Sequence, residues 1–585
     1  MRPQRIYPVL LNLFNIAAHL TPMTELVQRP YPADSVQHLA DSGIAPLMAR
    51  IYAARGIRDV AQLDTGLGNL LPCTQLKNAQ QMARILADAI AAQRKLLIVA
   101  DYDADGATAC AVALRGLRAF GARVDFIVPN RFEYGYGLTP EIVRLAAQSA
   151  PNILITVDNG IASVEGVAEA NHLGMQVLIT DHHLPGDNLP DALCIVNPNQ
   201  MGCEFPSKNL AGVGVMFYVL LALRAELRAR GAYTENPEPN LGNLLDLVAL
   251  GTVADVVRLD ENNRILVQQG LQRIRAGRAC GGINALLQVA KKNHAQVSSY
   301  ELGFVVGPRL NAAGRLEDMS LGIACLLSDD ADEAAQIAAR LDELNRERRT
   351  IEAGMQQAAL TALEHINPSD SCSLALFDET WHQGVIGILA SRLKDRYHRP
   401  VIAFARSQEG ELKGSGRSIH GLHLRDALDL VSKRHPHLLQ KFGGHAMAAG
   451  LSLREEHFDE FKAAFEAIAQ GLLSPADLTK VIETDGALTA ADFSLDIARS
   501  LEQQVWGQGF PQPLFENEFT VKSQRVVGEK HLKLKLSAYA ATFDAIRFFN
   551  ADTMPERIRA TYKLALNEYN GSTTLQLVIE HWEKL

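Results

Sequence analysis

LLIVADYDADG, residues 96–106, decides the fold. Five apolar residues run straight into three aspartates and a glycine. A run that short, bounded by turn residues, reads as a strand buried on both faces in a parallel sheet. The pattern recurs: residues 153–157 lead into VDNG with Asp158, and residues 177–180 lead into Asp181, His182 and His183. Between them the spacing predicts helices over 108–120, 140–147 and 162–173, and a further strand over 123–128. This βαβ rhythm implies a parallel, doubly wound sheet. A helix over 241–250 then delivers Asp255, within GTVADVV. In open α/β sheets, ligands bind outside the carboxyl ends of the strands. The acids therefore converge on one crevice, where they repel one another unless cations lie between them.

The rest of the chain sets the frame. With 585 residues it exceeds one core and suggests three or four domains. A 47% hydrophobic and 21% charged composition is ordinary for a globular protein, and seven scattered cysteines without a C-x-x-C pair argue for reduced thiols in a cytoplasmic setting. The net charge of −9 gives no overall nucleic-acid footprint and argues against a duplex-coating protein, while leaving room for a local basic channel. No stretch reads as a membrane span, and no membrane partner is expected. Residues 1–22 read as an extension before an alternative start at Met23, without the cleavage site of a signal peptide.

The expected architecture is an α/β multidomain protein: a helical segment over 23–90, a parallel-sheet domain over 91–327 and a long connecting helix over 328–366. A smaller α/β domain follows over 367–473, with strands at 374–377 and 400–404. Residues 474–585 carry five strand-like runs, which suit an OB-like β-barrel, a common platform for single-stranded nucleic acid.

DYDADG opens like a calcium hand, but the twelfth position is Val112 rather than a bidentate glutamate. An acidic helix cap needs only one aspartate, not three. Oxygen ligands with one or two histidines, and no cysteine partners, point to Mn²⁺ or Mg²⁺ rather than structural zinc. Two such ions activate water and stabilise both oxygens of an in-line phosphoryl displacement. Anion grips are read in three further places. GSGRS (414–418) reads as a glycine-rich turn carrying Ser415 and Arg417, and GGHAMAAG (443–450) as two glycines, including Gly444, and His445 ahead of a small-residue helix. GPRLNAAGR (307–315) reads as a loop offering Arg309, Asn311 and Arg315; a solvated basic turn is the alternative there, and close helix packing by the small residues is the alternative for GGHAMAAG. Gly212 and Gly214 lack the rest of a dinucleotide fingerprint and read as helix packing.

Taken in order, DYDADG, VDNG, DHH, GTVADVV, GPRLNAAGR, GSGRS and GGHAMAAG resemble the DHH phosphoesterase superfamily with a DHHA1 lobe. More narrowly the set resembles its branch of single-strand-specific 5′→3′ DNA exonucleases, from about residue 53 onward and including GQGFPQPLF (507–515). The resemblance implies that Asp103, Asp105, Asp158, His182 and Asp255 ligate two Mn²⁺ or Mg²⁺ ions, with Asp101 and His183 acting in the same site. It implies that Arg315, Ser415, Arg417 and His445 hold substrate phosphates, Arg417 at the 5′ end. Arg309, Asn311 and Gly444 complete the expected substrate set. Single-stranded DNA is the implied substrate, released as 5′-mononucleotides in recombination and repair. A single-strand-binding protein and a recombination helicase are implied partners. Rival readings are a relative acting on oligoribonucleotides, cyclic dinucleotides or pyrophosphate, which residues 475–585 disfavour, and a non-catalytic replication scaffold, which the intact acids disfavour.

Overall fold

The computed structural model describes residues 24–129, 137–235, 237–363, 371–408, 410–569 and 571–585. The 1–22 extension and the 364–366 end of the expected connecting helix lie outside the described residues. The chain forms two compact units, one from residues 28–345 with 484–585, the other from 346–483 with the segment up to Val27.

The larger unit is built on five parallel strands in the order Arg123–Ile127, Lys95–Ala100, Ile153–Val157, Gln176–Thr180, Cys194–Val196. Successive side chains turn to opposite faces. Leu96 and Ile98 enter one core with the helices Ala104–Ala119, Gly212–Ala229 and Leu245–Ala254, while Leu97 and Val99 enter another with Pro140–Ala147 and Val164–His172. Both faces are thus covered, as the unbroken apolar runs require. The 194–196 strand is too short to announce itself in the sequence.

Several local expectations need correction. The first helix starts at Ala104 rather than at 108, because Asp103 caps it: its Oδ1 accepts from the Asp105 and Gly106 amides at 2.9 and 3.0 Å. GPRLNAAGR is a helix, Gly307–Leu316, entered from a π-helical turn at Leu302–Val306. Its proline, Pro308, follows directly on that π-helical turn. Thr24–Gln28, inside the segment expected to be helical, is a strand paired with Lys480–Thr484; that partner is too distant in sequence to be anticipated. The long helix runs Ala331–Leu363.

In the smaller unit five strands order as Lys441–Gly444, Ala448–Arg454, Glu411–Arg417, Val401–Gln408, Leu374–Phe377, with only the last pair parallel. GSGRS is therefore strand, not turn. Gly414 is needed because a Cβ there would lie 2.5 Å from the Phe404 ring. GGHAMAAG is a hairpin rather than a helix start: the His445 amide donates to the Ala448 carbonyl at 2.8 Å, and Gly444 has φ 139°.

The carboxyl-terminal strands Phe515–Val527, His531–Ala538, Ala541–Arg547, Arg557–Tyr569 and Ser572–Lys584 close into a barrel, as expected. No described helix is long and apolar enough to cross a membrane.

Candidate metal centre

Parallel register builds the site. Ala100 pairs with Val157, Val157 with Thr180, and Thr180 with Val196. The next residue on each strand, Asp101, Asp158, Asp181 and Asn197, therefore lines the carboxyl edge. The ladder continues one step into it: the amides of Asp101, Asp158 and Asp181 donate to the carbonyls of Val157, Thr180 and Val196. Asp158 adopts φ 63°, a left-handed conformation that aspartate tolerates better than most residues.

Helices bring the remaining groups. Asp105, buried in the first turn of Ala104–Ala119, accepts from the Gly212 and Val213 amides at 2.6 and 2.9 Å. Those amides open the helix Gly212–Ala229, whose N-terminal dipole favours the carboxylate. A Cβ on Gly212 would lie 2.5 Å from Asp158 Oδ1, so the glycine brings that helix start against the acids. In the sequence alone this glycine reads as packing. Asp255 caps the end of Leu245–Ala254.

His182 Nε2 stands 3.1 Å from Asp158 Oδ1, 3.5 Å from Asp255 Oδ2 and 3.9 Å from Asp105 Oδ2. Three overlapping sets place their ligand atoms within 4.8 Å of one another: Asp158, His182 and His183; Asp105, His182 and Asp255; Asp101, Asp103 and Asp158. All seven expected site acids and histidines thus come together.

Asp181 is part of the sequence motif, which gives it no role of its own. Its Oδ1 accepts from the amides of His182 and His183 and pairs with His183 Nδ1 at 2.7 Å, while its Oδ2 accepts from the Ile161 amide. It fixes which way the His183 imidazole points and holds the backbone of both histidines. Asn197 and Asn199 brace the same turn by donating to the His183 and His182 carbonyls. The strand-end position of Asp181 is a signal that could have found it; the asparagines carry none in the sequence.

Electrostatics expose what the arrangement needs. Burial, then the neighbouring Asp103 charge, raises the Asp101 and Asp105 carboxyls to about 7. Burial and the surrounding aspartates push Asp158 and Asp255 well above the ordinary carboxylate range. Burial, aided by the neighbouring His183, lowers His182 to about 4, so its lone pair is free near neutrality. Burial also opposes the charged form of His183, but its bond to Asp181 and the charges of Asp181, Asp101 and Asp255 outweigh this and raise it to about 9. Asp158 Oδ1 and His182 Nε2 are buried and make no hydrogen bond among the described residues. Two lone-pair donors 3.1 Å apart, ringed by carboxylates, fit an oxygen-rich divalent cation site.

Raised carboxyl groups make the metal-free fold most stable when they are protonated. That contribution is complete below about pH 4 and is lost as the pH rises through about 7, where Asp101 and Asp105 ionise. Added Mn²⁺ should therefore raise the unfolding midpoint by several degrees at about pH 8 and much less at about pH 5.5, where protons compete with it. Calorimetry with and without metal checks this; an equal rise at both pH values would contradict the ligand assignment.

The other expected residues fall into two groups. In the larger unit, Asn311 Oδ1 accepts from the Ala104 amide at 2.8 Å, bracing the acidic turn, and Arg309 is bound to Asp342 and the Val305 carbonyl. Both side chains hold the protein together at these contacts. Arg315 lies in the last turn of the same helix. In the smaller unit, Ser415 and Arg417 share one strand face, with Arg417 Nη1 donating to Ser415 Oγ at 3.2 Å. Both face the first turn of the helix Ile386–Tyr397: a Cβ on Gly387 would lie 2.9 Å from Ser415 Oγ and 3.1 Å from Arg417 Nη2. A guanidinium, a hydroxyl and a helix start so grouped suit a phosphate. His445 and Gly444 lie at the hairpin turn, and Ala448 of that hairpin pairs with Arg417.

Residues 95–252 match the DHH family, N-terminal domain, residues 370–471 the DHHA1 domain, and residues 484–581 the RecJ OB domain. The chain is 50% identical over 552 residues to the single-stranded-DNA-specific exonuclease RecJ of Salmonella typhimurium, covering 92% of this chain and 96% of that one. Its fold is similar to the crystal structure of RecJ in complex with Mn²⁺ from Thermus thermophilus, with a TM-score of 0.81 at 30% identity over 96% of this chain and 80% of that one. The Mg²⁺ complex from the same organism gives 0.75 at 28% identity, covering 96% and 78%.

Proposed function

This chain belongs to the RecJ family of DHH phosphoesterases, and we propose that it is a single-stranded-DNA-specific exonuclease that works from the 5′ end and releases 5′-mononucleotides in recombination and repair. The observation that carries the reading is the buried, unsatisfied pair Asp158 Oδ1 and His182 Nε2 inside a ring of carboxylates. Asp103, Asp105, Asp158, His182 and Asp255 would hold two Mn²⁺ or Mg²⁺ ions, the metals found in the similar RecJ structures. Such a pair supplies an acidified water and offsets the charge on both oxygens of an in-line displacement at phosphorus.

The chain's own groups do the rest. His183, held by Asp181 through Nδ1, presents its other ring nitrogen toward the scissile phosphate. Asp101, at the same strand edge beside Asp103 and Asp158, is placed to orient the attacking water and take its proton. Arg417 and Ser415, at a helix start, take the 5′ phosphate, and Arg315 and His445 contact further phosphates. The OB-like barrel offers a surface for a longer strand, which favours a polymer over a dinucleotide as substrate. Its setting is the cytoplasm, with a single-strand-binding protein and a recombination helicase as working partners.

Digestion of single-stranded, duplex and RNA oligonucleotides, labelled at either end, tests this in the presence of Mn²⁺, Mg²⁺ or chelator. The expected outcome is metal-dependent release of mononucleotides from the 5′ end of single-stranded DNA, faster with a 5′ phosphate than with a hydroxyl. That preference should shrink in Arg417→Ala. Attack from the 3′ end, or equal attack on duplex, would overturn the reading.

A further inference from the structure

We propose that Tyr300 and Phe304 form a base-stacking platform that feeds the substrate strand into the metal centre; this rests on the exonuclease reading above. The two rings lie one helical turn apart, stacked with centroids 5.0 Å apart and planes 27° apart. Yet they are 60% and 72% exposed. The other large aromatics of this part of the unit, Tyr52, Trp506 and Phe510, are buried. Apart from Tyr31, the other exposed aromatics of this unit, Tyr539, Phe548 and Phe549, lie on the barrel, so a stacked pair of exposed rings on the helical part marks a surface made to be covered.

Its position says by what. Asp255 ends the helix Leu245–Ala254, and the next residue, Val256, is 63% exposed in a left-handed conformation, φ 61°, which a β-branched residue adopts only under strain. The π-helical turn Leu302–Val306 lies against the end of that helix. A Cβ on Gly303 would be 3.2 Å from Val253 Cγ1, and one on Gly307 would be 3.2 Å from Ala254 Cβ. The same continuous helical stretch then carries Asn311 to the Ala104 amide beside Asp103 and Asp105. One element thus runs from the rings to the acids, roughly 16 Å from Tyr300 to Asn311 at 1.5 Å per residue, a span of a few nucleotides.

The chemistry fits a strand of any sequence. Every base has a π-face, so stacking tolerates all four, whereas hydrogen-bond donors would select among them. Around the rings, Ser298 and Glu301 satisfy each other in a capping box, and Lys292 pairs with Glu301 at 3.3 Å. The open feature of this turn is ring surface.

The test uses the full chain with 5′-phosphorylated single strands, some carrying one abasic site moved stepwise from the 5′ end. Phe304→Ala and Tyr300→Ala should raise KM on the order of tenfold while kcat moves far less. Phe304→Trp should retain wild-type KM and Phe304→Leu should not. In the wild type an abasic site at one or two positions should raise KM, and Phe304→Ala should erase that penalty. A penalty that persists in Phe304→Ala, or Leu serving as well as Trp, would overturn the platform and leave the surface to an apolar protein partner. A wild type that leaves single strands intact would overturn the exonuclease reading itself.

Discussion

Replacing Asp158 by asparagine is expected to lower metal-dependent nucleotide release by roughly a thousandfold or more, about 4 kcal/mol of transition-state stabilisation. The substitution is nearly isosteric, and asparagine accepts the left-handed backbone of this position, φ 63°. The chain should therefore fold. It should even gain stability without metal, because Asp158 is a buried carboxylate whose ionisation is opposed by burial and by Asp105, Asp103 and Asp255. Activity and stability thus move in opposite directions, which separates loss of a ligand from loss of the fold. Turnover measured beside the unfolding midpoint of the metal-free protein checks both. Retained turnover, or a large fall in the midpoint, would refute the role given to this residue.

Asp485→Ala should cost about 3–5 kcal/mol, the penalty for breaking a buried ion pair from one side. Asp485 receives Arg55 at both oxygens, 2.7 and 3.0 Å, together with Arg29 and the Leu514 amide. The Arg55 and Asp485 side chains are each 1% exposed. Arg55 follows the helix Pro46–Ala53, which stacks Tyr52 on Trp506 and Phe510 at the entry to the barrel. Removing the carboxylate leaves a guanidinium stranded in that interface. Chemical denaturation should show a lower midpoint with the barrel unfolding first, and a midpoint unchanged within about 1 kcal/mol would contradict the pairing. Replacing both partners with apolar residues should cost much less than replacing one.

Features set by neighbouring residues are legible in the sequence, and those set by distant partners are not. The acids at strand ends are legible because a buried parallel strand is a continuous apolar run, and register then places the next residue at the edge. Asp101, Asp158 and Asp181 need nothing more. The barrel is legible because alternating strands follow one another closely. Glycines mislead in both directions. In GSGRS and GGHAMAAG they suggest turns and a helix start, but Gly414 is there to make room for Phe404 inside a sheet. Gly212, which reads as packing, brings a helix N-terminus onto Asp105 and Asp158. A glycine reports that something comes close, and only the fold says what. Asn197 and Asn199 are invisible because they act through backbone carbonyls of residues more than ten positions away.

Anomalous diffraction at the manganese edge, from crystals grown with Mn²⁺, bears on the whole argument at once. Two peaks should lie among Asp103, Asp105, Asp158, His182 and Asp255, with the Asp158→Asn variant losing at least one. An acid ring that stays empty of density at millimolar Mn²⁺, in a protein that still digests single strands, would show that cations do not hold these carboxylates together.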